Sequence, residues 1–437
     1  LAAETAIGKY PVECVRIVSK IINEIENPKY FINGKFNNNS VDYLLSLSTD
    51  GLISPHGKSD LVQQIVDCND DYLNLPELKI NAKSISDLIQ ICEGVYTPIT
   101  GYMDLEEIKS VLSKNILLSE QIWTLPIILQ VNKKEINDLP NKGKILLKDK
   151  LTNDPVGILD IYKIEDFDAN NFVKDWFGTE SLNHHGVKEI FIGGDFILSG
   201  KTYLFNEYRL RTKRHYEFNP KQTREIFYHN GWNNIIGFHT RNIPHTGHEY
   251  IQREALEISN ADAILLSPVA GIKKTGDFKT NVIMSCYEKL IDLDNYLKKG
   301  FLLSAFNTYS RYAGPREAIF TAICRKNFGC NYFIIGRDHT GLGNYYSKDA
   351  SQKIFEKLNL DMEILSFDPA YYCTKRKVVT TLFDDNDFKD TRIELSATSI
   401  RTLLKNKKNI PYYLLRSELS SLIIELYSKD PHQVLHE

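Results

Sequence analysis

The sequence contains few cysteines, no excess of charge of either sign and no long hydrophobic run. Its cysteines are scattered, at Cys14, Cys68, Cys92, Cys286, Cys324, Cys330 and Cys373, and none belongs to a Cys-x-x-Cys pair. This scatter argues against a disulfide framework or a structural zinc site and predicts reduced thiols in a cytoplasmic protein. The sequence has 53 basic and 56 acidic residues, which gives a formal net charge of -3. This net charge does not attract nucleic acid or an anionic membrane. No apolar run approaches the roughly 20 residues needed to cross a bilayer.

At 437 residues, of which 42% are hydrophobic, the chain is long enough for two or three domains. The first segment, residues 1–30, carries apolar residues at helical spacing between positions 12 and 25. Its AAETAIGKYP run resembles a short stretch of pyruvate kinase. Since a (β/α)8 barrel needs about 250 residues, we interpret the segment as a remnant, or as the tail of an upstream pyruvate kinase domain, without activity of its own. The chain begins with Leu1 instead of Met, which also predicts sequence upstream.

The remaining sequence divides into four stretches of different pattern. Residues 31–40, FINGKFNNNS, are polar and rich in Asn, which predicts a linker. Residues 41–218 combine short strand-like runs with helical pieces and predict a β-rich domain. From 219 to 372, apolar runs alternate with helices, which predicts a parallel sheet covered on both faces. Residues 373–437 are predicted to form a small helical domain, so the predicted fold class is α/β.

The segment GFHTRNIPHTGHEY, residues 237–250, places polar side chains between an apolar run and a helix. Such a turn lies at the carboxyl end of the first parallel strand, where open α/β sheets bind ligands. Free backbone N–H groups at a helix start favour an anion, and Gly247 lets the backbone come close to it. His245 and His248 share a face of the first turn and can both donate to a phosphoryl oxygen. The planar guanidinium of Arg241 adds N–H donors in a fixed arrangement that suits a tetrahedral oxyanion. The segment therefore predicts a phosphate site.

Two plainer interpretations of this segment compete with a phosphate site. Histidines three residues apart are one pattern of metal ligation. However, no third Cys or His stands at a supporting spacing, and Glu249 does not complete a His-Glu-x-x-His motif. No metal site is therefore predicted. The other alternative is a capped helix with two structural histidines.

Two further stretches bear on the predicted site. CNYFIIGRDHTGLG, residues 330–343, is another apolar run that ends in polar residues, so two strand ends of one sheet are expected to converge. In LSATSIR, Ser396 and Thr398 precede a predicted helix and Arg401 lies in its first turns. A simple helix N-cap is the favoured interpretation of that stretch, and a phosphate contact is the alternative.

GGDFILSGKT, residues 193–202, looks like a Walker A loop but departs from it in two ways. The spacing from Gly194 to Gly200 is one residue too long, and Asp195 stands where the first glycine belongs. No P-loop, and hence no fused adenylylsulfate kinase, is predicted.

Residues about 42–428 resemble the ATP sulfurylase family of HxGH nucleotidyltransferases, through a long colinear series of motifs. The motifs are LISPHG (52–57), EGVYTPITGYM (93–103), WFGT (176–179), HHGV (184–187), PVAGIKKTGD (268–277), RYAGPREA (311–318), RKNFGC (325–330), GRDHTG (336–341) and LSATSIR (395–401). The resemblance implies a PUA-like domain over 41–218, a Rossmann-like catalytic domain over 219–372 and a small C-terminal domain over 373–437. It also implies a homo-oligomer that converts MgATP and sulfate into adenosine 5′-phosphosulfate and pyrophosphate, with Mg²⁺ entering as MgATP.

The resemblance further assigns roles to individual residues. Catalysis would fall to Thr240, Arg241, Asn242, His245 and His248. ATP binding would fall to His239, Thr240, Arg241, Asn242, Gly336, Arg337, Asp338 and His339. Sulfate binding would fall to His239, Arg241 and Thr340.

Three positions depart from the family pattern. His239 replaces a glutamine that contacts sulfate, Ile243 replaces a proline, and Thr340 replaces an alanine at the sulfate site. Two of these lie at the predicted oxyanion pocket, so adenylyl transfer is better supported than sulfate as the acceptor. Because Arg241 is kept and a histidine donor can replace an amide, sulfate stays the favoured acceptor. The alternatives are a nucleotidyltransferase of the same fold with another oxyanion or phosphate acceptor, and a non-catalytic regulatory domain of a pyruvate kinase fusion.

Overall fold

A computed structural model describes residues 31–32, 35–36, 51–58, 60–212, 216–273, 275–293, 296–297, 299–336, 345–347, 349–382 and 391–436. The predicted pyruvate kinase remnant, residues 1–30, lies outside these ranges. Within the predicted linker, strand β1 (Phe31–Ile32) pairs in antiparallel fashion with strand β2 (Lys35–Phe36).

The next part of the chain forms a mixed sheet with the strand order β3-β9-β8-β7-β4, and two further strands pair with β9. Its elements are β3 (Ile65–Val66), α1 (Asp70–Leu73), β4 (Glu77–Ile80), α2 (Ala82–Cys92), β5 (Gly101–Tyr102), α3 (Leu105–Lys114), β6 (Leu129–Val131), α4 (Lys133–Ile136), β7 (Gly143–Asp149), β8 (Pro155–Asp166), α5 (Val173–Phe177), α6 (His185–Ile192), β9 (Phe196–Phe205) and α7 (Asn206–Thr212). Most of the Walker-like segment lies in the long strand β9, which pairs with β3, β5, β6 and β8. It therefore cannot be a phosphate-binding loop.

A second, wholly parallel sheet follows, with the strand order β12-β11-β10-β13-β14. Its elements are α8 (Pro220–His229), β10 (Ile235–Thr240), α9 (Thr246–Ser259), β11 (Ala263–Pro268), α10 (Thr280–Ile291), β12 (Gly300–Leu303), α11 (Pro315–Phe328), β13 (Tyr332–Ile335), α12 (Ala350–Lys353) and β14 (Glu363–Ser366). The chain order of the strands reverses between β10 and β13. In doubly wound sheets this switch point is where ligands bind.

The parallel sheet separates two hydrophobic clusters, because successive strand residues point to opposite faces. Ile236 and Phe238 of β10 pack in the cluster that includes α9 and α10. Ile235 of β10 and Leu265 of β11 pack in the other cluster, which includes α11. Helices thus cover both faces of the sheet, which confirms the predicted α/β class.

The C-terminal part contains the predicted helices and also a small antiparallel sheet with the order β16-β15-β17. Its elements are β15 (Tyr371–Cys373), β16 (Val378–Thr380), β17 (Arg392–Glu394), α13 (Ala397–Lys405) and α14 (Ser417–Lys429). Leu419 and Ile423 of α14 pack into the same cluster as α9 and α10, so this part is joined to one face of the parallel sheet.

Two general features of the described ranges bear on the sequence-based expectations. The six cysteines within them form no disulfide, and Cys14 lies outside. In the same part of the chain, no helix combines the length and the apolar character needed to cross a membrane.

Candidate active site

The turn between β10 and α9 is shaped by its own side chains. The Thr240 hydroxyl accepts a hydrogen bond of 3.1 Å from the backbone N–H of Asn242. His245 is the N-cap of α9, and its Nδ1 accepts from the backbone N–H of His248 at 3.4 Å. A nitrogen that accepts carries a lone pair, so the neutral His245 ring has its proton on Nε2 and is a donor there. The helix start predicted from the sequence is thus present, with a histidine in the capping position.

The two imidazole rings stack against each other, with centroids 3.7 Å apart and planes inclined by 21°. The ring of Phe238 meets His248 edge-on at 5.4 Å. Burial lowers the pKa of His245 well below its ordinary value, and the neighbouring His248 lowers it further. Burial also lowers the pKa of His248 to about 4, although a hydrogen bond to the Ile243 carbonyl opposes the shift. Both rings are therefore neutral at pH 7, and each has a single N–H donor. That of His245 is on Nε2, and that of His248 is directed to the Ile243 carbonyl.

Two more features suit this turn to ligand binding. A Cβ on residue 247 would lie 3.2 Å from the His245 ring. Glycine at this position therefore allows the ring to lie where it does. The side-chain oxygen of Asn242 is buried and has no hydrogen-bond partner among the described residues. An unpaired buried acceptor costs about 1–3 kcal/mol, and a donor from a bound ligand would remove that cost.

The charge of Arg241 acts on two residues of the RYAGPREA segment. Burial raises the pKa of Tyr312, and the charge of Arg241 opposes this shift. The same charge also lowers the pKa of Glu317, where burial is again the largest effect and raises it. Glu317 accepts hydrogen bonds from the backbone N–H groups of Arg311 at 2.9 Å and Ala313 at 3.1 Å, which fixes this loop. The structure therefore brings together two stretches that are about 70 residues apart in the sequence.

His239 faces the opposite side of the sheet from Phe238 and Thr240. Its Nδ1 is 2.7 Å from Nη2 of Arg325, a residue of α11. Arg325 is fully buried. Sequence reasoning identified RKNFGC as a motif but gave its arginine no role, because no spacing rule links position 325 to position 239.

The second predicted strand end is only partly described. β10 and β13 are neighbours, with Gly237 opposite Phe333, so Gly336 arrives at the same sheet edge as Thr240. The other four predicted residues of this stretch, Arg337, Asp338, His339 and Thr340, lie outside the described residues, and their roles stay predictions.

The LSATSIR stretch supports its favoured interpretation. Ser396 is the N-cap of α13 and accepts from the backbone N–H of Ser399 at 3.2 Å. Arg401 forms an ion pair of 3.1 Å with the buried Asp277 of the PVAGIKKTGD stretch. The arginine is therefore engaged by a carboxylate, which disfavours the phosphate alternative.

The C-terminal part supports the start of α9, an arrangement that sequence reasoning missed. The Thr246 hydroxyl donates to the Tyr413 carbonyl at 2.5 Å. Arg416 pairs with Glu249 at 2.7 Å, and Glu249 is buried. Two contacts thus hold the helical turn that carries His245 and His248.

No group of three His, Cys, Asp or Glu side chains within the described residues is arranged to hold a metal ion.

Comparison with known proteins identifies the family. The ATP-sulfurylase family model matches residues 214–426, and the PUA-like domain model matches residues 53–207. A sulfate adenylyltransferase of Microcystis aeruginosa is 33% identical over 390 residues, which cover 87% of this chain and 98% of that protein. The chain belongs to the ATP-sulfurylase family. Sulfate adenylyltransferases of Ignicoccus hospitalis and Pyrococcus abyssi are 36% and 35% identical, over 79% and 80% of this chain and 89% and 90% of those proteins.

A solved structure shares the fold of this ATP-sulfurylase family member. It is described as a hexameric APS kinase from Thiobacillus denitrificans, and it superposes with a TM-score of 0.66. The match covers 87% of this chain and 69% of that one at 19% identity, so it supports the architecture alone.

Proposed function

We propose that this chain is a sulfate adenylyltransferase. An oxygen of sulfate attacks the α-phosphorus of MgATP, a new P–O bond forms, and the bond to the leaving pyrophosphate breaks. The products are adenosine 5′-phosphosulfate and pyrophosphate. The relatives support the reaction, and one structural observation supports its location: two neutral, stacked histidines start a helix at the switch point of a doubly wound sheet.

The reaction needs neither a general base nor a nucleophilic side chain. Sulfate is already an anion at neutral pH, so the task is to align two like-charged reactants and to neutralise charge as it develops. Neutral His245 is suited to this task, because its Nε2–H can donate to a phosphate oxygen. Neutral His248 has one N–H, and it can donate to the phosphate by turning that N–H from the Ile243 carbonyl to the ligand. The free N–H groups and the positive dipole of the α9 start add to the same effect.

The remaining roles follow the resemblance, and the local geometry supports several of them. Arg241 binds the oxyanion, and its charge also acts on Tyr312 and Glu317 of the neighbouring loop. Thr240 shapes the turn, and the unpaired oxygen of Asn242 accepts from the nucleotide. In this proposal Gly336, Arg337, Asp338 and His339 complete the ATP site, and His239 and Thr340 complete the sulfate site.

Pyrophosphate release by the purified protein tests the function. We expect release from MgATP that depends on sulfate, and we expect the variant His248→Ala to lose most of it. Phosphate and molybdate are the comparison oxyanions. Release that requires one of these, or another acceptor in place of sulfate, would identify a related nucleotidyltransferase. An absence of both release and ATP binding in calorimetry would favour the non-catalytic alternative.

Several expectations stay predictions within this proposal. They are the cytoplasmic location, the homo-oligomeric state and the pyruvate kinase segment upstream.

A further inference from the structure

The residue behind His239 is an unusual buried cation. Arg325 is fully buried in α11, and its guanidinium lies 4.6 Å from the ring centroid of Phe306 and 5.6 Å from that of Phe328. No salt bridge to it occurs within the described residues, and its Nε and Nη1 have no hydrogen-bond partner there. Burial lowers the pKa of Arg325 to about 10, so the group is still charged at pH 7.

The contact between Arg325 and His239 restricts the protonation of the imidazole. A guanidinium carries five N–H donors and no acceptor. In the 2.7 Å contact, Nδ1 of His239 must therefore accept, which requires a lone pair on that atom. A protonated imidazolium has no such lone pair and would place two cations together. The ring is consequently neutral, with its one proton on Nε2.

The backbone supports the same arrangement. Gly237 lies two residues before His239 on the same face of β10, and a Cβ there would come within 3.1 Å of the Arg325 side chain. Glycine at position 237 therefore gives the arginine room to run under the strand and reach the ring of His239. The imidazole is held by a rigid strand on one side and by a buried helix residue on the other.

We propose that Arg325 is a positioning residue that holds His239 as the neutral Nε2–H tautomer, so that position 239 offers a hydrogen-bond donor and no acceptor to the oxyanion. This inference rests on the proposed function for the role of His239 in the oxyanion pocket. Because Nδ1 of His239 already accepts a hydrogen bond from Arg325, it cannot accept one from a ligand.

A donor without an acceptor discriminates between oxyanions. Sulfate at neutral pH carries only acceptor oxygens, and each of them can accept a hydrogen bond from the Nε2–H of His239. Hydrogen phosphate carries an O–H that needs an acceptor, and a buried donor left without a partner is costly. An amide at this position would offer both a donor and an acceptor, whereas the fixed histidine does not. The pair therefore favours a fully deprotonated oxyanion.

The tautomer can be measured without any reference to catalysis. In ¹⁵N-histidine NMR of the full chain at pH 7, the signal missing from His239→Gln identifies His239. We expect that signal to show a proton on Nε2 and none on Nδ1. We expect Arg325→Met, which keeps the volume but removes the donors, to give a mixture of tautomers, and Arg325→Lys to retain the wild-type form. A protonated Nδ1 in the wild-type chain overturns the proposal, whether or not the variants fold.

Kinetics test the consequence for the anion. In Arg325→Met we expect the KM for sulfate to rise about tenfold, as one lost hydrogen bond predicts, with a smaller change in kcat. Phosphate should become a better competitive inhibitor by a similar factor.

The double variant tests whether Arg325 acts through His239. In the His239→Gln background, Arg325→Met should add little to either change. If the two effects simply multiply, Arg325 does not act through His239. If the wild-type chain lacks sulfate-dependent release, the proposed function fails, and the NMR result still decides the Arg325–His239 relationship.

Discussion

Arg416 and Glu249 form an ion pair across 167 residues of sequence, and this pair ties the C-terminal part of the chain to the start of helix α9. Nε and Nη2 of Arg416 both lie 2.7 Å from the same carboxylate oxygen. Glu249 follows His248 directly, so the pair holds the backbone at the proposed catalytic turn. The C-terminal part thus contributes to the active site without supplying a group that touches substrate.

Removal of this pair should weaken both stability and turnover. Arg416→Ala leaves a buried carboxylate unpaired, and we expect a loss of about 2–3 kcal/mol in the free energy of unfolding, below the value for a fully buried pair because Arg416 is partly exposed. We also expect kcat to fall about tenfold, since small displacements of catalytic groups are costly. Lys429→Ala, which breaks an exposed pair with Glu425, is the matched control and should cost less than about 0.5 kcal/mol. Equal effects of the two variants would contradict this role for Arg416.

The turn between β10 and α9 is predictable from sequence because its determinants are local. An apolar run ends, a polar turn follows, and helical spacing resumes at once. The same locality explains why the alternation of strands and helices predicts the parallel sheet. The family motifs add the order of the domains, which no local rule supplies.

The contacts that support the site are not predictable in this way. The partners His239 and Arg325 are 86 residues apart, and Glu249 and Arg416 are farther still, so no spacing rule joins either pair. The antiparallel sheet of the C-terminal part is missed for a related reason. Its strands have three residues each, too few for a period of two to be distinguished, and its pairing depends on the fold.

The stacked pair His245 and His248 should be essential for turnover. Because preorganised donors typically contribute factors of about 10² to 10³, we expect His248→Ala to lower kcat by that amount without unfolding the protein. His245→Asn removes the imidazole but keeps an N-cap for α9, so it separates catalysis from helix stability. His432→Ala, an exposed histidine outside the proposed site, is the control for both. Turnover near the wild-type level in both site variants would remove the reason for assigning them a catalytic role.

Buried histidines should make the protein sensitive to acid. Burial lowers the pKa of His56 and of His248 to about 4 each, against about 6.5 in an unfolded chain. Between these values the unfolded chain binds a proton that the folded chain does not, so stability present above pH 6.5 is lost as the pH falls toward 4. Each histidine should contribute a slope of about 1.4 kcal/mol per pH unit. Urea unfolding at pH 7, 6 and 5 measures the slope, and His56→Asn should reduce it by one histidine's share. An identical slope in the variant would contradict the buried, neutral state of His56.

Gly314, the one glycine of the RYAGPREA segment, should be hard to replace, because two separate effects exclude a side chain there. Its backbone has φ 54° and ψ −123°, a region that only glycine adopts readily, and a Cβ would lie 2.7 Å from the ring of Tyr346. Gly231 offers a matched comparison, since its φ is 67° but a Cβ would meet nothing within 4 Å. We expect Gly231→Ala to lower the free energy of unfolding by about 1 kcal/mol, from backbone strain alone. Gly314→Ala should cost clearly more and should also raise the KM for sulfate, because it displaces the loop of Tyr312 and Glu317 beside Arg241. Thermal unfolding and steady-state kinetics of both variants separate the two effects. A Gly314→Ala protein that matched Gly231→Ala in stability and the wild type in KM would show that this loop does not position Arg241.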